Sequence, residues 1–470
     1  MQRVIHWFRR DLRLHDNTAL HFALRAAPEV IPVYILSQWH GHHHWTGAPR
    51  QQFLCGSLEV LAANLEARGS RLIIRQGPAD QELARLLAET RAQAIFLNRD
   101  PDPFGRQMEQ KVTSAAAALG ATVHAFKDIA IHERDEVLTG KGAPFRVFTP
   151  YSRAWRKLPK PPVHPAPRRI QTPPGIESLH LPTLATWRLR PTAEILAPGE
   201  DAARRRLEAF LRGPILQYAD LRDIPSASAT SRLSQDLRHG LISPREVHAR
   251  AQAVRERAGA QEASSIDTYI NELIWREFYL QVLWHWPHVL DSDFNPEFRA
   301  VPWYQPGPDF AAWRQGETGF PIVDAAMRQL TASGFMHNRL RMITAMFLTK
   351  DLHIHWSVGE AFFMQHLVDG DIASNNGGWQ WSAGTGADAA PYFRIQNPWT
   401  QSARFDPKGE FIKQWIPELR DTHPALLCAP PSPGIRICPT YPRPIVDHAT
   451  ERQTALLMFK QRDGEGSGVS

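Results

Sequence analysis

VIHWF at 4–8 is followed by VIPVYIL at 30–36, RLIIR at 71–75 and AIFLN at 94–98. Each run is too short for a long helix and too uniformly apolar for a strand with one wet face, so each reads as a buried strand. Helical spacing fills the gaps near 51–68, 79–90 and 105–119. That alternation predicts a Rossmann-like α/β domain over 1–130, a parallel sheet with helices on both faces. Prolines then cluster in PKPPVHPAP and TPPG, and no periodicity survives across 144–191. Residues 131–199 are therefore expected to form an extended interdomain linker, too broken to supply a core element. From 200 onward the pattern turns helical. ARRRLEAFLR (203–212), SPREVHARAQAVRER (243–257), IDTYINELIWREFYLQVLWHW (266–286), IVDAAMRQL (322–330), HNRLRMITAMFLTKDL (337–352) and GEAFFMQHL (359–367) place apolar residues three and four apart. An all-α domain is expected over 200–463, with a disordered tail, GEGSGVS, at 464–470.

The chain has 470 residues, 22% of them charged and 43% hydrophobic, the balance of a water-soluble globular protein. Arginines enter at once in VIHWFRRDLRLHDN, so no signal peptide is expected, and no apolar run approaches the ~18 residues of a membrane span. Three cysteines, Cys55, Cys428 and Cys438, lack CxxC spacing, which argues against zinc, an iron–sulfur cluster or a disulfide framework. A reducing, cytoplasmic location, a monomer and no metal centre are the expectations. The loop histidines His40, His42, His43 and His44 read as solvated. A net charge of +6 and a pI near 9.3 are compatible with a nucleic-acid partner without demanding one. Fifteen tryptophans against eight tyrosines are either a large core or a set of stacking surfaces and electron carriers.

DGDIASNNGGWQWSAGTGADAAPYFR at 369–394 concentrates the chemistry: carboxylates, amides and two tryptophans beside glycines that let backbone approach a ligand. Asn375 and Trp379, four apart, share a helix face, while Trp381 points elsewhere. Buried amides and carboxylates cost free energy unless something satisfies them. Glu272, Trp275 and Arg276 also fall at three- and four-residue spacing, where an indole can stack beside a hydrogen-bonding acid. An exposed Glu–Arg pair beside a core tryptophan fits the same spacing. Asn338, Arg341 and Met342 make one face of a further helix, with Arg339 pointing away from it as a phosphate candidate, and an arginine-rich solvated face fits the same spacing. TSRLS (Thr230, Ser231, Arg232, Leu233, Ser234) puts hydroxyls and free N–H groups at a helix start, which suits a pyrophosphate and ordinary N-capping alike.

These strings together resemble the photolyase/cryptochrome family. The likeness runs from WFRRDLRLHDN (7–17) through TSRLS, NELIWREFY (271–279), TGFPIVDAAMRQL (318–330) and MHNRLRM (336–342) to the 369–394 block. It is greatest to bacterial class I cyclobutane pyrimidine dimer photolyases. The resemblance implies an N-terminal α/β domain, a connector and a helical domain that holds FAD, active as reduced anionic FADH−. It assigns TSRLS and Tyr218 to the FAD phosphates and nearby ribose, and Tyr269, Arg276, Asn338 and Gly370 to further cofactor contacts. Asp369, with Arg341 as its partner, and Asp371 fall at the isoalloxazine and ribose end. Asn375 matches the residue facing flavin N5, where an amide suits a reduced anionic flavin and a carboxylate favours protonation. Trp379, Trp356 and Trp303 match an electron-transfer triad, since tunnelling decays steeply with distance and indoles divide the path into short hops.

By the same resemblance Glu272 hydrogen-bonds the damaged bases, Trp275 and Trp381 pack against the fused pyrimidines, and Arg276, Tyr279, Asn338 and Met342 complete the pocket. Photolyases take their target out of the stack, and a damaged pair is cheaper to extrude. Arg222, Arg339, Arg394 and Gln401 match positions that contact UV-damaged DNA, largely through phosphate, giving salt-sensitive binding without sequence preference. Phe335 stands where the family usually has Trp. NRDPDPFGR (98–106) looks more like members with a flavin or deazaflavin antenna than a folate one, and Asp100 and Asp102 are candidate contacts. The implied activity is a light-driven carbon–carbon lyase. A cryptochrome-like photoreceptor is the alternative, disfavoured by Asn375 and by the complete lesion pocket. A plain flavin oxidoreductase would need a nicotinamide fingerprint, and GTGAD (384–388) lacks the strand–turn–helix setting for one.

Overall fold

The computed structural model describes residues 1–432 and 434–461, so the tail at 464–470 lies outside the described residues. Five strands, β1 (Arg3–Phe8), β2 (Glu29–Leu36), β3 (Ile73–Gln76), β4 (Ala94–Asn98) and β5 (Thr122–Phe126), pair in parallel in the order β3-β2-β1-β4-β5. Helices α1 (Thr18–Ala26), α2 (Ala48–Glu66), α3 (Ala79–Thr90) and α4 (Pro103–Ala118) make the crossovers. Nearly every residue of β1 and β4 is buried, because both sheet faces are covered. The order reverses between β1 and β4, so their carboxyl ends border the crevice where such sheets receive ligands.

The four apolar runs and three helical stretches read from the sequence are the strands β1 to β4 and helices α2 to α4, within a few residues. Two elements had no such signature. Helix α1 is only nine residues long and is started by Asn17, whose side chain accepts the Leu20 N–H at 3.1 Å. Strand β5 lies at the sheet edge and is only partly buried, so its apolar pattern is diluted. The proline-rich segment corrects an expectation. It contains α5 (Phe148–Lys157), with Tyr151 and Trp155 buried four residues apart, and Trp187 is fully buried as well. Prolines on both sides mask a helix whose apolar stripe is two residues wide.

Two compact units form. One comprises Met1–Pro191, Ile195–Ala219 and Ser231–His285; the other comprises Thr192–Glu194, Asp220–Thr230 and the described residues from Trp286 onward. In the first, the Pro244–Arg255 helix is tied to the strand ends by a buried ion network. Arg13 reaches Asp128 at 2.7 Å, and Arg245 reaches Asp128 at 2.7 Å and Asp16 at 3.0 Å. Burial alone would raise the Asp128 carboxyl, but Arg13 and Arg245 outweigh it and hold it down at about 2. In the second, Trp313, Phe320, Phe347, Trp356, Phe363 and Trp379 belong to one apolar core. Around it lie the helices Pro321–Ser333, Asn338–Met346, Trp356–His366 and Ile372–Ala383.

Candidate active site

In the first unit the Ala260–His285 helix carries Tyr269, Glu272, Trp275, Arg276 and Tyr279. Trp275 lies flat on Phe148 of α5, with centroids 3.7 Å apart and planes within 4°. One face of the indole is thus covered by an aromatic ring, and Tyr279 leans on it at 5.6 Å. Arg276 donates to the Ile129 carbonyl at 2.7 Å. Tyr218 and Tyr269 meet edge to face at 5.3 Å, and Phe210 backs Tyr269 at 4.7 Å. Burial lifts the Tyr269 hydroxyl to about 12 against a hydrogen bond with Ser231. The TSRLS stretch leads into the short Ser234–His239 helix; Arg232 has a φ of 51° and no side chain caps the helix start. Leu233 is buried, while Ser234 is exposed.

Asp100 and Asp102 lie beyond β4. Asp102 is the N-cap of α4, accepting the Gly105 N–H at 2.7 Å, and Asp100 pairs with Arg10 at 3.0 Å. Burial works against the Asp100 charge, but Arg10 and Arg9 outweigh it; burial and then Asp100 push Asp102 up. Both carboxylates therefore already serve partners in the protein.

In the second unit the Ile372–Ala383 helix begins at Asp371, whose carboxylate accepts the Ser374 N–H at 3.0 Å. Arg341 holds Asp369 through Nη2 and Oδ2 at 2.8 Å, while Asp369 Oδ1 is buried with no hydrogen-bond partner among the described residues. Gly370 is buried between the two aspartates. The Asn375 amide donates to the Glu360 carbonyl at 3.2 Å, and the Asn376 amide donates to the Glu360 carboxyl at 3.0 Å. Burial pushes that carboxyl up to about 8, against the Asn376 bond. Asn338 opens the Asn338–Met346 helix and is exposed. Arg339 does not point away from Met342. It pairs with Asp223 at 2.7 Å, lies over Phe405 at 4.5 Å and comes within 3.7 Å of the Met342 sulfur. Residues three apart share a helix face, and the long guanidinium stem spans the difference. Arg222 approaches the same Asp223 at 3.9 Å. Trp381 is half-buried, Arg394 is exposed, and Gln401 is half-buried on the Pro398–Phe405 helix.

The three triad candidates all belong to this unit. Trp379 and Trp356 are buried, and Trp303 is half-buried. Trp379 meets Phe363 edge-on at 4.9 Å. Gly359 makes room for it, since a Cβ there would stand 2.1 Å from the indole. The His355 ring touches both of the others, 5.4 Å from Trp303 and 5.0 Å from Trp356. Trp356 donates its Nε1–H to Asp293 at 2.7 Å. Phe148, Asp293, His355 and Glu360 were absent from the sequence reading. Each acts through a contact far along the chain or through a neighbour whose spacing marks nothing, so no local pattern announces it.

Residues 4–170 match the family model described as DNA photolyase, and residues 269–461 match that of the FAD binding domain of DNA photolyase. The chain is 38% identical to the deoxyribodipyrimidine photo-lyase of Agrobacterium fabrum, over 97% of each protein. It superposes on a bacterial class III photolyase from Agrobacterium tumefaciens with a TM-score of 0.91 at 37% identity, covering 99% of this chain and 98% of that one. An archaeal photolyase from Sulfolobus tokodaii, crystallised with two FAD molecules, superposes with a TM-score of 0.85 at 30% identity, over 98% of this chain and all of that one. Parallel sheet, helical region and end-to-end likeness agree: the chain belongs to the DNA photolyase family.

Proposed function

We propose that the protein splits cyclobutane pyrimidine dimers in UV-damaged DNA, using blue or near-ultraviolet light. The observation that carries this reading is the near-full-length likeness to proteins named deoxyribodipyrimidine photo-lyase. Fit to the cofactor is supported by Asp369. One of its oxygens is held by Arg341, and the other is buried and open to a ligand N–H or hydroxyl. When bound, reduced FAD would supply the light-driven one-electron chemistry of ring splitting. The protein's residues bind and orient. Thr230 to Ser234 and Tyr218 hold phosphate and ribose, Asp369, Gly370 and Asp371 hold the isoalloxazine and ribose end, and Asn375 offers a neutral amide to flavin N5. Glu272 hydrogen-bonds the damaged bases and steadies the charge they acquire. Trp275, its rear face closed by Phe148, offers a single face for stacking. Arg222, Arg339, Arg394 and Gln401 bind DNA phosphates.

Illumination of purified, reduced protein with dimer-containing oligothymidylate tests this reading. Recovery of thymine absorbance is expected; flavin photoreduction without recovery would establish a photoreceptor instead. We also infer a second, flavin-type antenna, supported by the two FAD molecules of the Sulfolobus tokodaii relative. Chromatography of the chromophores released on denaturation is expected to give a flavin or deazaflavin beyond one FAD equivalent, and a folate would refute it.

A further inference from the structure

The second unit contains a carboxylate that neither ion pairing nor the proposed lesion chemistry uses. Asp293 is 2% exposed and forms no ion pair among the described residues. Its Oδ1 accepts the Nε1–H of Trp356 at 2.7 Å. Arg299 reaches the backbone carbonyl of Asp293 at 3.2 Å rather than its carboxylate. The nearby His355 imidazole has its pKa lowered by burial, against the pull of Asp293, so it provides no strong counter-charge. Trp356 itself is 0% exposed and lies in the apolar core, where no water can solvate a charge on it. A buried indole N–H needs only a neutral acceptor, and a full carboxylate costs more to desolvate. That cost is offset when the indole itself turns positive.

We propose that Asp293 is a positioning residue that makes Trp356 an electron relay, stabilising the positive charge left on the indole and holding its proton. The inference rests on the proposed flavin-dependent function and on the tryptophan path that the family resemblance implies, in which photoexcited oxidised flavin would be the oxidant and Trp379 its first donor. Trp356 gives one electron to oxidised Trp379, which becomes neutral. Trp356 is left as a radical cation, and its Nε1 proton moves toward or onto Asp293 Oδ1. Trp303 then returns one electron to Trp356, the proton goes back to Nε1, and Asp293 is a carboxylate again. A thiol reductant in solution finally reduces Trp303.

Asp293→Asn keeps an acceptor of the same shape and removes the charge. Wild-type, D293N, D293E and W379F proteins, loaded with FAD, are illuminated without oxygen in the presence of a thiol, and flavin photoreduction is followed by absorbance. D293N is expected to photoreduce at least about tenfold more slowly, equivalent to about 1.4 kcal/mol. Its FAD content, melting temperature and dimer repair after chemical reduction should match wild type, and D293E should recover part of the rate. Ultraviolet resonance Raman should show a weaker indole N–H hydrogen bond in D293N, a readout independent of turnover. Wild-type photoreduction in D293N, with W379F inactive, overturns the role of Asp293 and leaves the path standing. Normal photoreduction in W379F overturns the path itself. Should D293N not fold, flash absorption of wild type decides. A solvent deuterium isotope effect on the oxidised-indole signal is expected, and its absence overturns the proposal.

Discussion

Asn375 hangs from the Glu360 backbone carbonyl, while its neighbour Asn376 takes the Glu360 carboxyl. One glutamate thus fixes two successive amides, and the amide of Asn375 is turned by a main-chain acceptor rather than by a charge. Glu272→Ala is expected to lower repair yield by about 10²-fold while FAD stays bound, since the role proposed for it is to stabilise charge formed during reaction. Repair assays beside flavin absorbance check this, and unchanged repair would remove the assignment. Trp379→Phe should abolish photoreduction of oxidised flavin, with chemically reduced enzyme as the repair control. Surviving photoreduction would require another electron path. At this scale the sequence made the polar face of Asn375 and Trp379 legible, because four-residue spacing is a local property. Glu360 was not legible, since its contact with Asn375 spans 15 residues and two helices.

Helix packing sets the accuracy of these placements. Gly359 lets the Trp356–His366 helix approach Trp379 so closely that no side chain fits between them. Gly359→Ala should destabilise the protein by about 1–3 kcal/mol through overpacking and shift Trp379, despite the better helix propensity of alanine. Urea unfolding and tryptophan fluorescence measure both effects; an unchanged or higher midpoint would refute the clash. At the start of the Ile372–Ala383 helix, Asp371→Ala should cost about 1 kcal/mol by removing the N-cap. Any additional loss of FAD affinity would then separate a cofactor contact from capping. The α5 helix shows why element reading failed between prolines. Its stability comes from Tyr151 and from Trp155, whose indole donates to Glu277 at 2.5 Å, and little of it from local pattern.

For the whole molecule, burial raises several carboxyls, with Asp324 and Asp351 near 6 and Glu360 near 8. A carboxyl raised on folding binds more protons in the folded state, so stability falls as pH rises between the unfolded and folded values. For Glu360 that window runs from about 4.5 to about 8, with a slope of up to about 1.4 kcal/mol per pH unit. Denaturant titrations across it should lose this slope in Glu360→Gln, and an identical slope would refute a protonated Glu360. The opposite sign holds for Asp128, whose contribution is present above pH ~4 and is lost as pH falls toward about 2. Removing that carboxylate by Asp128→Ala should cost about 3–5 kcal/mol, read from the same titrations, because it leaves buried Arg13 without that carboxylate and Arg245 with Asp16 alone. No helix among the described residues is long and apolar enough to cross a membrane.

The amino-acid order by itself determined the parallel sheet and the helical region, because apolar period and strand length are properties of a few consecutive residues. It also determined the family, since long strings such as NELIWREFY and MHNRLRM carry the resemblance to it. Tertiary structure alone decided that Phe148 backs Trp275, that Asp293 takes the Trp356 indole proton donor, and that Arg245 ties its helix to Asp16 and Asp128. Those contacts join residues from 63 to 229 positions apart. They exist only once burial has stripped water from both partners, and no spacing rule reaches that far.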